Sequence, residues 1–428
     1  MQIQTVAPKT SRLAAAVAAT IAILLPSLIS PPAVSATNRL TLNEAISRAI
    51  AFAPSVAAAA AASDLGRAAL GEARAPLYPS IDTGLVYYRT TGYSTAITND
   101  GETAAQATLN YTAYDFGRRL AVMRAARYAA EAARLGLTAS QNQIVFDTSV
   151  AYFDLVRTQR EVAEWRANRD QLNRYLGVIQ ELERSGQAIT SDVLRIHSER
   201  DSVELQLATA DQARRKAAIV LGSFIGEYDD NVEAEDLTSL PAPPEGDIQR
   251  NPILRADQRN IDSATLAVKA AEAERYPNLG MQLTTGFLGI DAPHTFNNNF
   301  GASYQGVVGM PIFDGGLIRS HIDAARARRM AAIAQRRQDE LVLSQRLADA
   351  RMRYNEARRQ LAILARSIPV AHDSFALDWT RFLGGGSATL LEVIDALRQL
   401  QTFQITQLDE EFAARQAAAE VALVLGVR

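Results

Sequence analysis

"YTAYDFG" at residues 111–117 and "PIFDGG" at 311–316 decide how this chain is read. In each, an aromatic residue and an aspartate run into glycine. Each also stands where alternation of period two gives way to a long helical pattern. The aspartates, Asp115 and Asp314, lie 199 residues apart (314 − 115). A chain that leaves a strand the same way twice is read first as a tandem duplication. Asp115 and Asp314 can accept hydrogen bonds from the orphan amides that open a helix, and Gly117 and Gly315 permit the sharp bend before it.

Working outward, Pro54 and Pro79 are spaced like Pro252 and Pro277. Each pair brackets a helix-compatible run that closes on Tyr-Pro. Period-two segments follow both: Ile81, Thr83, Leu85 and Tyr87 share one face, as do Leu279, Met281, Leu283 and Phe287. Turn-rich stretches lead to a return strand in each half, so two β-hairpins are expected, about 80–114 and 279–312. Proline-free stretches come next, at 117–184 and 315–368. Leu343, Leu347, Ala350, Tyr354, Ala357, Leu361 and Leu364 step by four and three, and Val145, Tyr152, Leu155 and Val162 keep that frame in the first half. A period of 3.5 predicts coiled-coil packing, in helices about 100 Å long. Each long stretch breaks at a glycine turn, "RSGQAITSDVL" (184–194) or "FLGGGSATLLEVI" (382–394), and returns as a second helix. The unit is helix, hairpin, long helix, turn, helix. It occupies 37–225 and again 251–428, with long helices about 117–222 and 315–426. Residues 226–250 between the repeats are acidic and proline-bearing, and read as a surface linker or a small side structure.

Lys9 and Arg12 precede the apolar run "LAAAVAATIAILL" (13–25) and the small-residue exit "PPAVSA" (31–36). That pattern reads as a cleaved signal peptide over 1–36; its apolar core is short for a membrane anchor. The chain has no cysteine, which leaves neither a disulfide framework nor a lipid-bearing thiol, and a net charge of −3 argues against a nucleic-acid partner. Past the leader no apolar stretch is long enough to span a bilayer as a helix, so any crossing must use strands. Four strands cannot close a barrel, and lipid tolerates no open sheet edge. Other copies must complete it, and a cyclic trimer would supply twelve strands. The fold class is mainly α with a membrane β part. The competing arrangement is a periplasmic coiled-coil structural protein without a pore.

"LTLNEAISRAIAFAPSV" (40–56), "YPSIDTGLVYY" (78–88), "LNYTAYDFGRR" (109–119), "VVGMPIFDGGLIRSHIDAAR" (307–326) and the two glycine turns together resemble the TolC family of outer-membrane efflux ducts. The resemblance covers essentially the whole chain past the leader. It implies a homotrimer with a twelve-stranded outer-membrane barrel in lipid and a long periplasmic helical tunnel. A periplasmic adaptor and an inner-membrane transporter, ABC-type or proton-driven, are the implied partners. Multidrug efflux and type I secretion both stay open, and the missing lipid cysteine leans toward secretion.

The chemistry expected is a passage and no enzyme activity. Glu392 and Asp395, three apart just past the "GGGS" turn, share one side of a helix. Around a threefold axis they would form stacked carboxylate rings that favour cations and raise one another's pKa. The resemblance implies the same role: family members place two acids, usually Asp, at the periplasmic entrance, and here the first is Glu. Asp192 holds the matching place after the first turn, with Arg195 three residues on. Arg195 or Arg184 is expected to pair with Glu392 or Asp395 and hold the mouth closed. The arginine by which family members close the second turn is absent, since "SAT" occupies 387–389. The plainer alternative is that these acids only charge a helix N-terminus. Gly186 and Gln187 in the first turn, and Gly386 and Ser387 in the second, resemble the tips at which adaptor hairpins dock; plain interhelical turns are the alternative.

Other signals fail. His197, His294, His321 and His372 are not at metal-ligand spacing, "GGGS" lacks a phosphate-binding lysine, and neither a metal nor a cofactor is expected. Trp165 reads as packing, Trp379 as packing or platform. Tyr87, Tyr88, Tyr93 and Tyr111 could form an aromatic belt at the bilayer edge.

Overall fold

A computed structural model of the chain describes residues 39–94, 101–237, 239–290, 300–384 and 388–427. The leader reading over 1–36, His294, and the tip residues Gly386 and Ser387 lie outside the described residues. Two short helices open the first repeat, α1 (Leu42–Phe52) and α2 (Pro54–Arg74). Thr41 caps α1 by accepting from the Glu44 amide at 3.2 Å, and Pro54 sits where α2 needs no amide. The hairpin β1 (Ser80–Arg89) and β2 (Gly101–Tyr114) leads into α3 (Arg118–Arg184) and α4 (Thr190–Ile225). The second repeat runs α5 (Pro252–Ala273), β3 (Asn278–Ile290), β4 (Phe300–Gly309), α6 (Leu317–Leu383) and α7 (Leu390–Leu425). The repeats agree in length: α3 and α6 have 67 residues each, α4 and α7 36 each.

At both strand-to-helix steps the aspartate holds the first amides. Asp115 accepts from Gly117 N (3.2 Å) and Arg119 N (2.9 Å), and Asp314 from Gly316 N (2.9 Å) and Ile318 N (2.7 Å). Each helix begins three residues past its aspartate, with Gly117 (φ 83°) and Gly316 (φ 90°) as the left-handed capping residues. Phe116 takes φ 51° where the second repeat has Gly315 at 64°. The strain is offset by its ring, which stacks on Tyr276 at 4.9 Å and meets Tyr114 edge-on at 4.8 Å. Burial pushes the Asp115 carboxyl up, but the Arg119 amide and guanidinium outweigh it and hold the group below the ordinary range. The Ile318 and Gly316 amides lower Asp314 likewise.

One boundary differs from the sequence reading. Strand β4 ends at Gly309 rather than near 312, because Pro311 has no amide to give a ladder. Helix α6 runs through Pro369 to Leu383, as far as the glycine turn that the sequence marks. Pro369 and Ala365, whose carbonyl loses its partner, are both exposed, so water can take that bond.

The four strands form one antiparallel sheet ordered β1-β2-β3-β4. The hairpins therefore join through β2 and β3, with Leu109 opposite Leu283 and a bulge between Thr112 and Tyr114. Among the helices, α3 packs on α2 and α5 along one stretch and on α4 and α7 along another, and α6 meets α5 and α7. The four-three positions make the seams: Tyr152, Leu155, Val162, Leu172, Leu176 and Ile179 on α3 are buried, as are Leu343, Ala350, Tyr354, Ala357 and Leu364 on α6.

The segment between repeats does form a small side structure. Leu40 pairs with Ala234 as a parallel bridge, its amide giving to Glu233 O at 2.8 Å and its carbonyl accepting from Glu235 N at 2.9 Å. The Leu237 carbonyl takes bonds from Arg160 (2.7 Å) and Arg415 (3.0 Å).

Candidate pore gate

The candidate gate residues sit where the helical pairs turn. Between α3 and α4 the chain reverses at Ser185–Ile189, with Gly186 at φ 75° and the Gln187 amide returning to Leu182 O at 2.8 Å. Ser185, Gly186 and Gln187 are all exposed, so backbone and small side chains form the tip. On the other side, α7 opens with a capping box: Glu392 N gives to Thr389 Oγ1 (3.4 Å), and Thr389 N gives to Glu392 Oε2 (2.7 Å). Thr-x-x-Glu thus does local work with the very carboxylate singled out for the passage. Asp395, one turn on, is exposed, and so is Glu392; Asp192, in the first turn of α4, is half-buried.

Arg184 pairs with Glu181 of its own helix at 2.6 Å, both side chains 70% exposed. Arg195 is exposed and makes no ion pair among the described residues. Neither reaches Glu392 or Asp395 within the chain. The bond that does tie α4 to α7 is Glu199–Arg398, which the sequence reading did not single out. Arg398 Nε gives to both Glu199 oxygens at 3.1 and 3.0 Å, with its Nη2 on Oε2 as well. Glu199 is 4% exposed. Its hydrogen bonds raise the Arg398 guanidinium above its ordinary value, and the charges of Glu199 and Asp395 add to this. A signal was there to find: Ile196, Glu199 and Val203 step by three and four on α4, which places a charge in an apolar seam.

Beneath that pair lies an apolar cluster from four helices, with Leu172, Leu176 and Ile179 of α3, Ile196 of α4, Phe375 of α6 and Val393 of α7. Trp165 and Trp379 pack on its margin, and Trp379 meets Tyr175 at 4.1 Å. His321 Nδ1 lies 2.9 Å from Glu274, and no described cluster of His, Asp and Glu is arranged to hold a metal.

Fold and site together define a class: a duplicated chain whose sheet carries exposed apolar side chains on strands of membrane length, set on long paired helices with acids at the turns. The description of the outer membrane efflux protein family matches residues 45–227 and 247–427. The chain belongs to that family, and it serves as an outer-membrane exit duct of a tripartite export system. It is similar to the pyoverdine export outer membrane protein OpmQ of Pseudomonas aeruginosa, 24% identical over 90% of this chain and 85% of that one. Nodulation protein T of Rhizobium leguminosarum bv. trifolii is 23% identical over 73% of this chain and 69% of its own. In structure, VceC of Vibrio cholerae superposes with a TM-score of 0.80 at 19% identity, covering 90% of this chain and 96% of VceC.

Proposed function

We propose that three copies close into a ring, with their sheets completing a twelve-stranded barrel and their helices a periplasmic tunnel narrowed at the α3–α4 and α6–α7 turns. One observation carries this reading: the sheet's outer strands leave two edges free, and Leu85 (77% exposed), Tyr304 (82%) and Val308 (71%) project unburied from them. Lipid and sister subunits are the partners such strands need. Tyr87, Tyr93 and Tyr111 are exposed along the first hairpin, consistent with an aromatic belt. The adaptor docks at the exposed Ser185–Gln187 tip and its second-repeat counterpart, and an inner-membrane transporter loads the duct. Cargo in the OpmQ-like direction is a small molecule.

At the mouth, Asp192, Glu392 and Asp395 give a cation-favouring constriction, where Arg195, and Arg184 by exchanging its exposed Glu181 partner, pair across subunits. The test is a planar-bilayer recording of Glu392→Gln with Asp395→Asn. Gln keeps the capping box, so the charge is removed without unwinding α7. Cation preference should weaken, and an unchanged reversal potential would reject the rings. Detergent-extracted outer membranes should hold the protein as a trimer. A freely soluble protein would favour the poreless coiled-coil spacer instead.

A further inference from the structure

Resting on the ring reading above, we propose that Asp82 is a charge-selecting residue of the passage. Its three copies form a wide carboxylate belt inside the barrel that draws in cations, the amine of a cargo molecule among them.

The two faces of the sheet carry different chemistry. Ile81, Leu85, Leu109, Leu283 and Tyr304 occupy alternate positions on one face, the one that suits lipid. The opposite face then lines the passage. Two adjacent rows cross that face in register. The first is Ser80, Asn110, Gln282 and Gln305, and the second is Asp82, Thr108, Thr284 and Ser303. All of these side chains are polar. Two rows further from the helices, Val86, Ala104 and Leu288 are apolar, so the polar rows form a band and not a uniform coating.

Hydrogen bonds in the band run toward one carboxylate. Gln282 Nε2 gives to Asn110 Oδ1 at 3.1 Å, which turns the Asn110 amide so that its Nδ2 gives to Asp82 Oδ2, also at 3.1 Å. Ser80 gives to the same oxygen at 3.4 Å, and beside it the Thr108 and Thr284 hydroxyls meet at 3.2 Å. Asp82 is exposed, and its Oδ1 accepts no hydrogen bond among the described residues. The carboxylate is thus held by one oxygen and presents the other to the passage. Charge on this face has one sign: Asp82 and Glu102 carry it, and no Lys or Arg stands there among the described strand residues. Acid rings of this kind favour cations.

Size decides how such a belt behaves. Twelve strands about 4.8 Å apart and tilted about 40° close at a radius of about 12 Å, which leaves the three carboxylates about 9 Å from the axis. That distance lies well inside the Debye length of about 30 Å at ~0.01 M salt and well outside the ~3 Å at 1 M. The belt is therefore a filter that salt switches off, unlike a narrow mouth where cation and carboxylate touch.

The test is the reversal potential under a KCl gradient in planar bilayers, recorded in the Glu392→Gln, Asp395→Asn channel so that the mouth does not mask the barrel. Asp82→Asn added to it should lower the cation-to-anion permeability ratio on the order of threefold near ~10 mM salt, and by less than about a fifth near ~1 M. Thr108→Asp added to Asp82→Asn returns the acid to the facing position of the same row, and should restore the ratio. A particle of one chain in detergent overturns the ring itself. A trimeric channel that Asp82→Asn leaves unchanged at low salt keeps the ring and overturns the belt. An equal loss at both salt strengths overturns it too, as does a loss that Thr108→Asp fails to restore.

Discussion

At the scale of single residues, Glu199 and Arg398 carry unequal burdens. Glu199 is almost fully buried between α4 and α7, while 58% of the Arg398 side chain meets solvent. Removing the cation strands a buried carboxylate, which costs more than removing the acid and leaving an arginine that water can reach. Arg398→Ala is expected to lose about 2 kcal/mol, discounted for that exposure, and Glu199→Gln about 1 kcal/mol. Thermal midpoints should fall in the order wild type, Glu199→Gln, Arg398→Ala; the reverse order would mean that Glu199 does not depend on this partner. A second residue reports on pH. Burial, and then the charge and contact of Asp339 on α6, push the Asp257 carboxyl of α5 up to about 6 against the opposing pull of Arg336. An acid whose folded pKa is raised binds its proton more tightly in the folded chain. Its contribution to stability is therefore full below the ordinary carboxylate pKa and lost as pH rises through about 6. Asp339→Asn removes the like charge, so it should raise the midpoint at pH 7 by the equivalent of about 1 kcal/mol after solvent screening, with little effect at pH 4. Equal effects at both values would show that the two carboxyls do not share this burden.

At the scale of elements, the hairpins and paired helices were legible because each is written in its own local period: alternation in Ile81–Tyr87, four-three steps in Leu343–Leu364. The strand-to-helix step was legible because Asp-x-Gly and Asp-Gly-Gly are local chemistry. Elements whose outcome depends on a distant partner were not. Nothing near Leu109 says that its neighbour is Leu283, and nothing in α4 alone names Arg398 as the group that answers Glu199. Pro369 leaves α6 unbroken because its exposure lets water take the one carbonyl it frees. The acids proposed for the gate, Glu392 and Asp395, stand beside a glycine turn in the sequence, but the capping role of Glu392 emerges only with the Thr389 geometry. Gly286 puts a sharper demand on the sheet. It lies on β3 at φ 150°, and a Cβ there would stand 2.1 Å from the Ala105 carbonyl of β2. No flexible side chain can yield, because the obstacle is backbone. Gly286→Ala should open the β2–β3 ladder and greatly lower the amount of protein recovered in the outer membrane, whereas Gly301→Ala on β4, where a Cβ meets open space, should be tolerated. Equal recovery of the two variants would refute that close approach.

At the scale of the whole molecule, the strap between the repeats adds to the β2–β3 ladder and the α3 packing that join them, and Tyr152 fastens it. Its phenol hydrogen is shared between the carbonyl oxygens of Leu40 (2.9 Å) and Glu235 (2.8 Å), so one side chain of α3 holds the strand before α1 against the strap after α4. Burial, with the charge near Glu235 adding to it, pushes the phenol up to about 12, so it remains a donor throughout the physiological range. Arg160 and Arg415 hold the next carbonyl, Leu237, by charged hydrogen bonds that also engage Glu411 of α7. Among the strap's fastenings the Tyr152 one is neutral and the Arg160–Arg415 one ionic, and salt should discriminate between these two. Tyr152→Phe removes the neutral fastening and leaves a buried ring of nearly the same shape, so it should cost about 1–2 kcal/mol at any salt concentration. Limited proteolysis should then nick the segment 226–246 faster than in the wild type while α3 and α6 stay intact. Arg160→Met should give nicking that responds to salt less than the wild type does, because its ionic fastening is already gone. An unchanged rate of nicking in Tyr152→Phe would show that this hydroxyl does not fasten the strap.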